Sequence, residues 1–274
     1  MLLGAGSAAA LRQEICVRNQ EYARRHFLPH CLSYGELPVV VYEPYEGGHG
    51  NFLPETYAAI LHNAQWRKRL NKRHAQARTS LPRNDRGFWC ELDSCNSSDA
   101  LLMNVFCHPE TLADGRVADL VSVPRDAVPE FGYRPGVPIA GGKADATEID
   151  MHLGDLFVEA KLTEFDFQAK HRDVVNGYRD FAEVFDRRML PQSRTHYLSY
   201  QLIRNVLAAH LTGNRFCVLA DQRRPDLIEA WYAVMRCVKP IDLRLRCKVL
   251  TWQELAQVLP SRLREFLAEK YGIA

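Results

Sequence analysis

The alternation of apolar and polar residues is most regular between residues 146 and 163. Two strand-like runs, TEIDMHL and LFVEAKLT, flank the dipeptide Gly154-Asp155. Glycine at the first central position of a two-residue loop is typical of a type II′ turn, whose twist matches that of paired strands. The pattern therefore predicts a β-hairpin in which Leu153 faces Leu156.

Counting outward from this turn gives the pairing of the two strands. Successive side chains of a strand point to opposite faces, so each strand has one apolar and one polar face. The apolar face, which can be buried, is formed by Ile149, Met151, Val158 and Ala160, with Met151 opposite Val158 and Ile149 opposite Ala160. On the polar face, Asp150 stands opposite Glu159, and Glu148 stands opposite Lys161.

The opposed carboxylates on the polar face suggest a cation. Directly opposed side chains have Cβ atoms about 4.5–5.5 Å apart, and like charges at that distance are destabilising. Asp150 opposite Glu159 therefore predicts a compensating positive charge. A hard divalent ion such as Mg²⁺, which binds oxygen ligands at about 2.0–2.1 Å, would bridge the two carboxylates. Lys161 projects to the same face and can hold its ammonium near whatever such an ion binds.

Hydrophobic periodicity elsewhere predicts further helices and strands. Helices are predicted over residues 54–77, 96–106, 196–211 and 226–238, and strands over 128–133, 215–220 and 243–250. In the third of these helices the predicted apolar stripe consists of Leu198, Leu202, Val206 and Ala209. The order from residue 96 to residue 220 is then helix, three strands, helix, strand, which predicts an α/β fold. A break at residues 82–87 divides an N-terminal region, residues 1–86, from a core, residues 87–274.

The charge is balanced overall but unevenly distributed. The chain has 274 residues, of which 47% are hydrophobic and 25% charged, with a net charge of +2. This composition is typical of a globular protein. Acidic residues predominate between residues 145 and 186, whereas the stretch from 67 to 86 has Asp85 as its one acid among the cations Arg67, Lys68, Arg69, Lys72, Arg73, Arg78, Arg83 and Arg86. A basic stretch beside an acidic cluster suits a protein that binds a polyanion and a divalent cation.

The basic stretch has aromatic residues within and next to it. Cations meet phosphates and aromatic rings stack on bases, so the combination indicates contact with nucleic acid. The residues predicted to make that contact are Trp66, Arg67, Arg69, Lys72 and Arg73. The alternative is an ordinary solvated helix face, which is what charge runs usually are.

Nothing in the sequence indicates export or membrane insertion. The first residues, MLLGAGSAAALRQE, have no basic segment ahead of a sufficient apolar run, and no stretch approaches the roughly 20 apolar residues of a membrane helix. The eight cysteines follow no regular framework. These features predict a cytoplasmic protein with reduced thiols and no association with a membrane.

Asp150, followed after eight residues by Glu159-Ala160-Lys161, resembles the signature of the PD-(D/E)XK nuclease superfamily. The resemblance covers residues 91–220, and the segments NSSDALLMNVF and YQLIRN look like those of a bacterial subgroup of restriction-type nucleases. It implies a restriction-endonuclease-like αβββαβ core with a mixed central sheet flanked by helices, to which residues 1–86 add a helical extension. The family's frequent Pro-Asp is replaced here by Thr147-Glu148-Ile149-Asp150, so either Glu148 or Asp150 could be the metal ligand; the register favours Asp150.

The resemblance also implies roles for individual residues. Asp150 and Glu159 would hold Mg²⁺, for which Mn²⁺ can substitute, together with the carbonyl of Ala160. Lys161 would orient or help to deprotonate the attacking water, or stabilise developing negative charge. Two further candidates are Gln201, as a polar residue on the helix after the hairpin, and Glu91, as an additional acidic ligand. His152 shares the polar face of the hairpin, where a structural role is the simpler expectation.

The function that follows from the resemblance is Mg²⁺-dependent hydrolysis of phosphodiester bonds in DNA, as in restriction or defence against foreign DNA. Two alternatives stay open: a non-catalytic nucleic-acid-binding or scaffold protein that retains the fold, and a repair exonuclease or RNA-directed nuclease with the same chemistry. Intact Asp150, Glu159 and Lys161 favour an active enzyme. A homodimer or a partner from a defence system is compatible with either case.

Overall fold

The computed structural model of the protein describes residues 3–74 and 81–274. Its backbone contacts divide the chain into two compact units. Unit 1 comprises Glu130–Thr251 with the first described residues up to Ala8, and unit 2 comprises Ala9–Pro129 and Trp252–Ala274. The predicted boundary between residues 86 and 87 falls inside unit 2.

Unit 1 is built around a mixed five-stranded sheet. In chain order its strands are β1 (Glu130–Tyr133), β2 (Ile149–Leu153), β3 (Leu156–Ala160), β4 (Arg215–Ala220) and β5 (Cys247–Thr251). Their order across the sheet is β5-β4-β3-β2-β1. β4 is parallel to both β3 and β5, whereas β2 is antiparallel to both β1 and β3. The α/β class and the mixed sheet predicted from the sequence are thus confirmed.

The hairpin formed by β2 and β3 has the predicted register. Leu153 pairs with Leu156 and Met151 with Val158, and Gly154 has a φ of +62°, as the first central residue of a type II′ turn requires. Along β2, buried residues alternate with half-buried ones, whereas all five residues of β3 are buried. Glu159 therefore lies in the interior and not on the solvated strand face that charged residues usually occupy.

The Tyr200–Thr212 helix packs on this sheet, and its predicted start at residue 196 is wrong. Leu202, Val206 and Ala209 are buried as the apolar stripe predicts. The residues before Tyr200 are not helical because His196–Tyr197 pairs as a short antiparallel strand with Lys170–His171. Leu198, assigned to the stripe, is consequently 42% exposed.

The remaining elements of unit 1 are short or lie at its edges. Its other helices are Arg172–Asn176, Phe181–Val184, Pro225–Met235 and Ile241–Leu245, and its other strand pair is Pro138–Ile139 with Lys143–Ala144. The predicted strand over 215–220 matches β4 in full. The predicted strand over 243–250 begins too early, because residues up to Leu245 are helical and β5 starts at Cys247.

Unit 2 is mainly helical. Its helices are Leu3–Arg25, most of which belongs to this unit, Pro54–His62, Ala64–Arg69, the 3-10 helix Glu91–Asp93, Ser98–Phe106, Pro109–Ala113, Arg116–Val121, Trp252–Ala256 and Ser261–Tyr271. Two small antiparallel pairs accompany them, His30–Leu32 with Val40–Tyr42 and Pro44–Tyr45 with Gly48–His49. The predicted helix that starts near residue 96 is confirmed from Ser98, and the Ser97 hydroxyl accepts a hydrogen bond from the Ala100 amide at its start.

The single helix predicted over residues 54–77 is wrong. The chain is extended at Asn63, whose side chain accepts hydrogen bonds from the amides of Gln65 and Trp66 and so begins a second helix. That helix ends at Arg69. An Asn side chain can accept hydrogen bonds from nearby backbone amides and so interrupt a helix. The spacing of apolar residues gives no sign of such an interruption. Residues 75–77 lie outside the described residues.

Within residues 3–74 and 81–274, no helix is both long and apolar enough to cross a membrane. All eight cysteines are described as free thiols, and six of them are buried.

The turn glycine gives a direct test of the hairpin. Replacing Gly154 by Ala should lower the free energy of unfolding by about 1–2 kcal/mol, because a side chain is disfavoured at positive φ. As a control, Gly6→Ala in the Leu3–Arg25 helix, where an added methyl group meets no atom within 4 Å, should leave stability unchanged or raise it. Urea denaturation measures both; equal effects of the two substitutions would contradict the assigned turn.

Candidate functional site

Glu159 is the centre of the candidate site. It lies near the end of β3 and is 1% exposed. Its Oε1 accepts a hydrogen bond from the Lys161 ammonium at 2.7 Å, and its Oε2 accepts one from the side-chain nitrogen Nδ2 of Asn205 at 2.8 Å. The Arg204 guanidinium lies 4.0 Å from Oε2. Each carboxylate oxygen therefore has a donor of the chain itself, and two cations surround the negative charge.

The electrostatics keep this buried pair ionised. Burial alone would raise the pKa of Glu159, but the charges of Lys161 and Arg204, with the hydrogen bonds that Glu159 accepts, hold that pKa below its ordinary value. Burial would likewise lower the pKa of Lys161, but Glu159, Glu164 and Asp150 raise it above the ordinary value. The two shifts are consistent with a charge-assisted hydrogen bond between a carboxylate and an ammonium.

Asp150 lies beside Glu159, where the two strands of the hairpin stop pairing. The last paired residues of the ladder are Met151 and Val158. Beyond them the amide of Ala160 donates to Asp150 Oδ2 at 2.8 Å. The Asp150 carboxylate, which is half-buried, is thereby fixed at the peptide that joins Glu159 to Ala160. Asp150, Glu159 and Lys161, predicted from the sequence to share a site, are brought together in the structure.

Groups of the chain itself compensate the charges of Asp150 and Glu159. From the sequence, an external cation was expected between the two opposed carboxylates. In the structure Lys161 compensates Glu159, and the Ala160 amide satisfies Asp150. Opposed carboxylates at this register therefore do not by themselves require a metal ion. The register of the hairpin was predicted correctly as far as Met151 and Val158, but the energetic reason for a cation was wrong.

Arg204 and Asn205 were missed by the sequence analysis. They lie on the Tyr200–Thr212 helix and are 3% and 0% exposed. Arg204 also donates to the carbonyl of Glu148 at 2.9 Å and to the side-chain oxygen of Asn205. Buried polar side chains need partners, and an Arg-Asn pair in the middle of the apolar run YQLIRNVLAA was the available signal. Only the fold identifies Glu159 as the partner.

Gln201 lies on the same helix face as these two residues. Side chains three and four positions apart are neighbours on a helix, so Gln201 is next to both Arg204 and Asn205. Its backbone amide donates to the Phe167 carbonyl at 3.0 Å. Its side-chain Oε1 is buried and is one of the few such atoms without a hydrogen-bond partner among the described residues. An acceptor oxygen left over on this face is suited to a bound water or cation.

The two other candidates on the hairpin have different surroundings. The Glu148 carboxylate pairs with Arg134 at 2.9 Å, whereas the ion pair of Lys161 is with Glu159. His152 packs its ring against Tyr133, with ring centres 4.5 Å apart, and lies 3.3 Å from the side-chain nitrogen of Asn214. These contacts suit the structural role expected for His152.

Glu91, the proposed additional ligand, lies in unit 2. It belongs to the 3-10 helix Glu91–Asp93, and its carboxylate is 2.9 Å from the Lys72 ammonium. Within the described parts of the chain, no group of three or more His, Cys, Asp or Glu side chains is arranged to hold a metal ion. In unit 1, the carboxylates of Glu159, Glu164 and Asp150 all lie close enough to Lys161 to raise its pKa.

The residues predicted to contact nucleic acid also lie in unit 2. Arg69 pairs with Asp99 at 2.5 Å, Lys72 pairs with Glu91, and the Trp66 indole donates to the Pro129 carbonyl at 2.8 Å. Arg67 and Arg73 are exposed, and the Arg73 guanidinium lies over the Phe88 ring. Arg78 is outside the described residues. Part of this stretch is therefore engaged in ion pairs of its own unit.

Comparison with known protein families gives a match over nearly the whole chain. A family model described as Restriction Endonuclease associating with ARP matches residues 13–272, which include every residue of the candidate site. Comparisons with curated proteins and with solved structures found no match to the chain.

The buried pair makes a prediction about pH. Glu159→Gln leaves Lys161 and Arg204 without their counter-charge, so at neutral pH it should lower the free energy of unfolding by about 3–5 kcal/mol. The pKa of Glu159 is depressed below its ordinary 4.5, so its stabilising effect is present above that value and is lost as the pH falls through the folded-state pKa. The difference between variant and wild type should therefore shrink below about pH 4.5.

Urea denaturation between pH 3.5 and 8 measures this difference. The matched control is Glu130→Gln, because the Glu130 side chain is 63% exposed. That substitution should change stability by less than about 0.5 kcal/mol across the range. A Glu159→Gln effect that does not vary with pH would contradict the ionised pair.

Proposed function

Because the chain belongs to the family described as Restriction Endonuclease associating with ARP, we propose that it is a metal-dependent endonuclease that hydrolyses phosphodiester bonds in DNA. One observation carries the proposal beyond family membership. Lys161 and Glu159 form a buried ion pair at 2.7 Å, next to the Asp150 carboxylate anchored on the Ala160 amide.

A buried ion pair of this kind favours a functional role over a structural one. An exposed Glu–Lys pair is worth about 0–1 kcal/mol and needs no explanation. Burying both charges is costly, and a well-packed apolar pair in the same place is often at least as stable. The pair also lies at the point where the hairpin ladder ends, so the carboxylates of two strands meet there. This combination suits a site that binds cations and phosphates.

The oxygen atoms present fit a hard divalent cation. Asp150, Glu159 and the Ala160 carbonyl would hold Mg²⁺ or Mn²⁺, which prefer such oxygen ligands and keep several waters. The buried Oε1 of Gln201, an acceptor that has no hydrogen-bond partner among the described residues, supports a hydrated ion nearby. When bound, the cation would supply an activated water and stabilisation of charge on the scissile phosphate.

Arg204 and Asn205 fix the Glu159 carboxylate from the side of the helix. Both act on Oε2, through a hydrogen bond from Asn205 and the nearby guanidinium of Arg204. The other oxygen, Oε1, is the one shared with Lys161. We assign Arg204 and Asn205 as positioning residues that hold Glu159 in a single rotamer, so that Oε1 is the oxygen presented to the centre of the site.

Lys161 is suited to stabilising negative charge. In its ion pair it is an ammonium with three donors, and a charged donor is effective where charge develops in the transition state. Its backbone amide is also fixed, since it donates to the Leu219 carbonyl at 2.8 Å on β4. Both ends of this side chain are thus constrained, which limits the reorganisation needed during reaction.

A protein partner is part of the proposal. The family description names an association with ARP, and we extend that association to this chain. A requirement for the partner would show as DNA cleavage by the pair but not by the chain alone. Self-association as a homodimer is the competing arrangement, and analytical ultracentrifugation separates the two.

Cleavage assays test the proposed reaction. Linear, circular and single-stranded DNA, and RNA, are incubated with the protein in Mg²⁺, Mn²⁺ or EDTA. We expect cleavage of DNA, including circular DNA, with either metal and none in EDTA. Lys161→Met should reduce the rate by about 10²–10³-fold, the effect typical of removing one electrostatic group, while Lys239→Met, an exposed lysine, should not. Wild-type cleavage by Lys161→Met would contradict the assigned role.

The metal itself is tested by thermal stability. A ligand that binds only the folded state raises the melting temperature, so Mg²⁺ or Mn²⁺ should stabilise the wild type in a concentration-dependent way. Asp150→Asn should lose this shift, and it retains the Glu159–Lys161 pair and hence the fold. Lys161→Met should keep the shift or enlarge it, because Lys161 occupies the Glu159 oxygen that the ion would share. Equal shifts in Asp150→Asn and wild type would argue against the site.

A further inference from the structure

A short basic ribbon of unit 1 has no role so far. The two strands Lys170–His171 and His196–Tyr197 pair antiparallel, with Lys170 opposite Tyr197 and His171 opposite His196. Arg172 continues the first strand and Arg194 precedes the second. The basic ribbon is defined here as residues 170–172 and 194–197; its side chains include three full cations, two histidines and no carboxylate.

Backbone hydrogen bonds connect the segment just before the basic ribbon to the helix of the candidate site. The backbone amides of Tyr200 and Gln201 donate to the carbonyls of Gln168 and Phe167, at 2.9 and 3.0 Å. The Lys161 ammonium in turn lies 5.6 Å from the centre of the Phe167 ring. Phe167, which contacts Lys161, thus lies just before the first strand of the ribbon. The Tyr200–Thr212 helix, whose Asn205 binds Glu159, begins just after the second strand.

The residues that flank the ribbon, one before its first strand and one after its second, have unusual backbone conformations. Gln168 has a φ of +60° and Ser199 a φ of +57°. Among the described residues, four that are not glycine have a positive φ, and these are two of them. Such conformations are disfavoured for residues other than glycine and concentrate at functional sites. Here they fix the direction in which the ribbon leaves the site.

Aromatic rings order two of the three cations of the ribbon. The Lys170 ammonium lies 5.6 Å from the centre of the Tyr200 ring, and the Arg172 guanidinium lies 5.3 Å from that of Tyr197. Cation–π contacts of this kind position a charge without neutralising it. Arg69 and Lys72 in the stretch predicted from the sequence are instead paired with carboxylates. In the ribbon, His171 lies 3.3 Å from the Asp173 carboxylate.

We infer that the basic ribbon binds the phosphate backbone of the DNA substrate beside the cleaved bond. Ordered cations next to a phosphodiester-cleaving site are the chemistry that a polyanion requires, and phosphate contacts fix the register of a strand without reading its sequence. The inference rests on the proposed function and assigns the substrate contact within the unit that carries the catalytic residues.

The experiment measures DNA binding in EDTA, where no cleavage is expected. Fluorescence anisotropy of a labelled duplex at rising salt compares wild type with the triple variant Lys170→Gln, Arg172→Gln, Arg194→Gln. The slope of log affinity against log salt should flatten by about 0.9 for each phosphate that the variant no longer neutralises, hence by about 2.7 for three. Arg194→Gln alone, which removes no cation–π interaction, should flatten it by about 0.9.

The matched control is Arg236→Gln, Lys239→Gln, Arg244→Gln, which also removes one lysine and two arginines. These exposed residues precede β5, at the amino-terminal edge of the parallel strands, whereas Glu159 lies at the carboxyl-terminal edge. The control should keep the wild-type slope. Circular dichroism checks that each variant is folded; Arg194→Gln decides the matter if the triple variant is not.

The outcomes separate this inference from the proposed function. A flattened slope in the ribbon variants with an unchanged control supports the inference, even if the wild type cleaves nothing with Mg²⁺ or Mn²⁺. Cleavage by the wild type together with an unchanged slope in Arg194→Gln and the triple variant overturns the inference and leaves the nuclease proposal intact. Binding of RNA but not of DNA overturns the assigned substrate.

Discussion

The burial of the Glu159 carboxylate is the constraint on which the arrangement of unit 1 depends. Removing such a charge from water costs several kcal/mol, and the cost is offset only if every oxygen has a well-placed donor. Lys161 provides one from the same strand, and Asn205 provides the other from the Tyr200–Thr212 helix. This hydrogen bond favours the observed packing of the helix on the sheet, since a shift by one residue would remove Asn205 from Glu159.

The same requirement organises the end of the hairpin. Arg204, next to Asn205, holds the Glu148 carbonyl just before β2, while Asp150 holds the Ala160 amide at the end of β3. Lys161 is bonded to β4 through its backbone and to Glu159 through its side chain. Hydrogen bonds of Glu159 and its neighbours thus join three strands and a helix. The residues that would bind the phosphate and the cation are therefore also residues that fix the local fold.

Local features of this fold were predictable from the sequence, and features that depend on distant partners were not. The hairpin was predicted because its two signals, Gly154 and the alternation of apolar and polar residues, both lie within a short stretch of the chain. The start of the Tyr200–Thr212 helix was missed because His196–Tyr197 becomes a strand only beside Lys170–His171. The repulsion between Asp150 and Glu159 was misjudged for a similar reason, since Arg204 and Asn205 are more than forty residues away in sequence.

The distribution of basic residues in the sequence is likewise an incomplete guide to where a nucleic acid would bind, because it does not show which cations form ion pairs. The stretch from residue 67 to residue 86 has the highest density of cations in the sequence, yet Arg69, Lys72 and Arg86 each pair with a carboxylate. Lys170, Arg172 and Arg194 are dispersed over twenty-five residues and form one surface only after folding. Because an ion pair reduces the charge that a phosphate meets, the number of cations in a segment is a weaker guide than their partners. Lys170 and Arg172 of the ribbon are instead held by aromatic rings, which is why we propose the ribbon as the substrate contact.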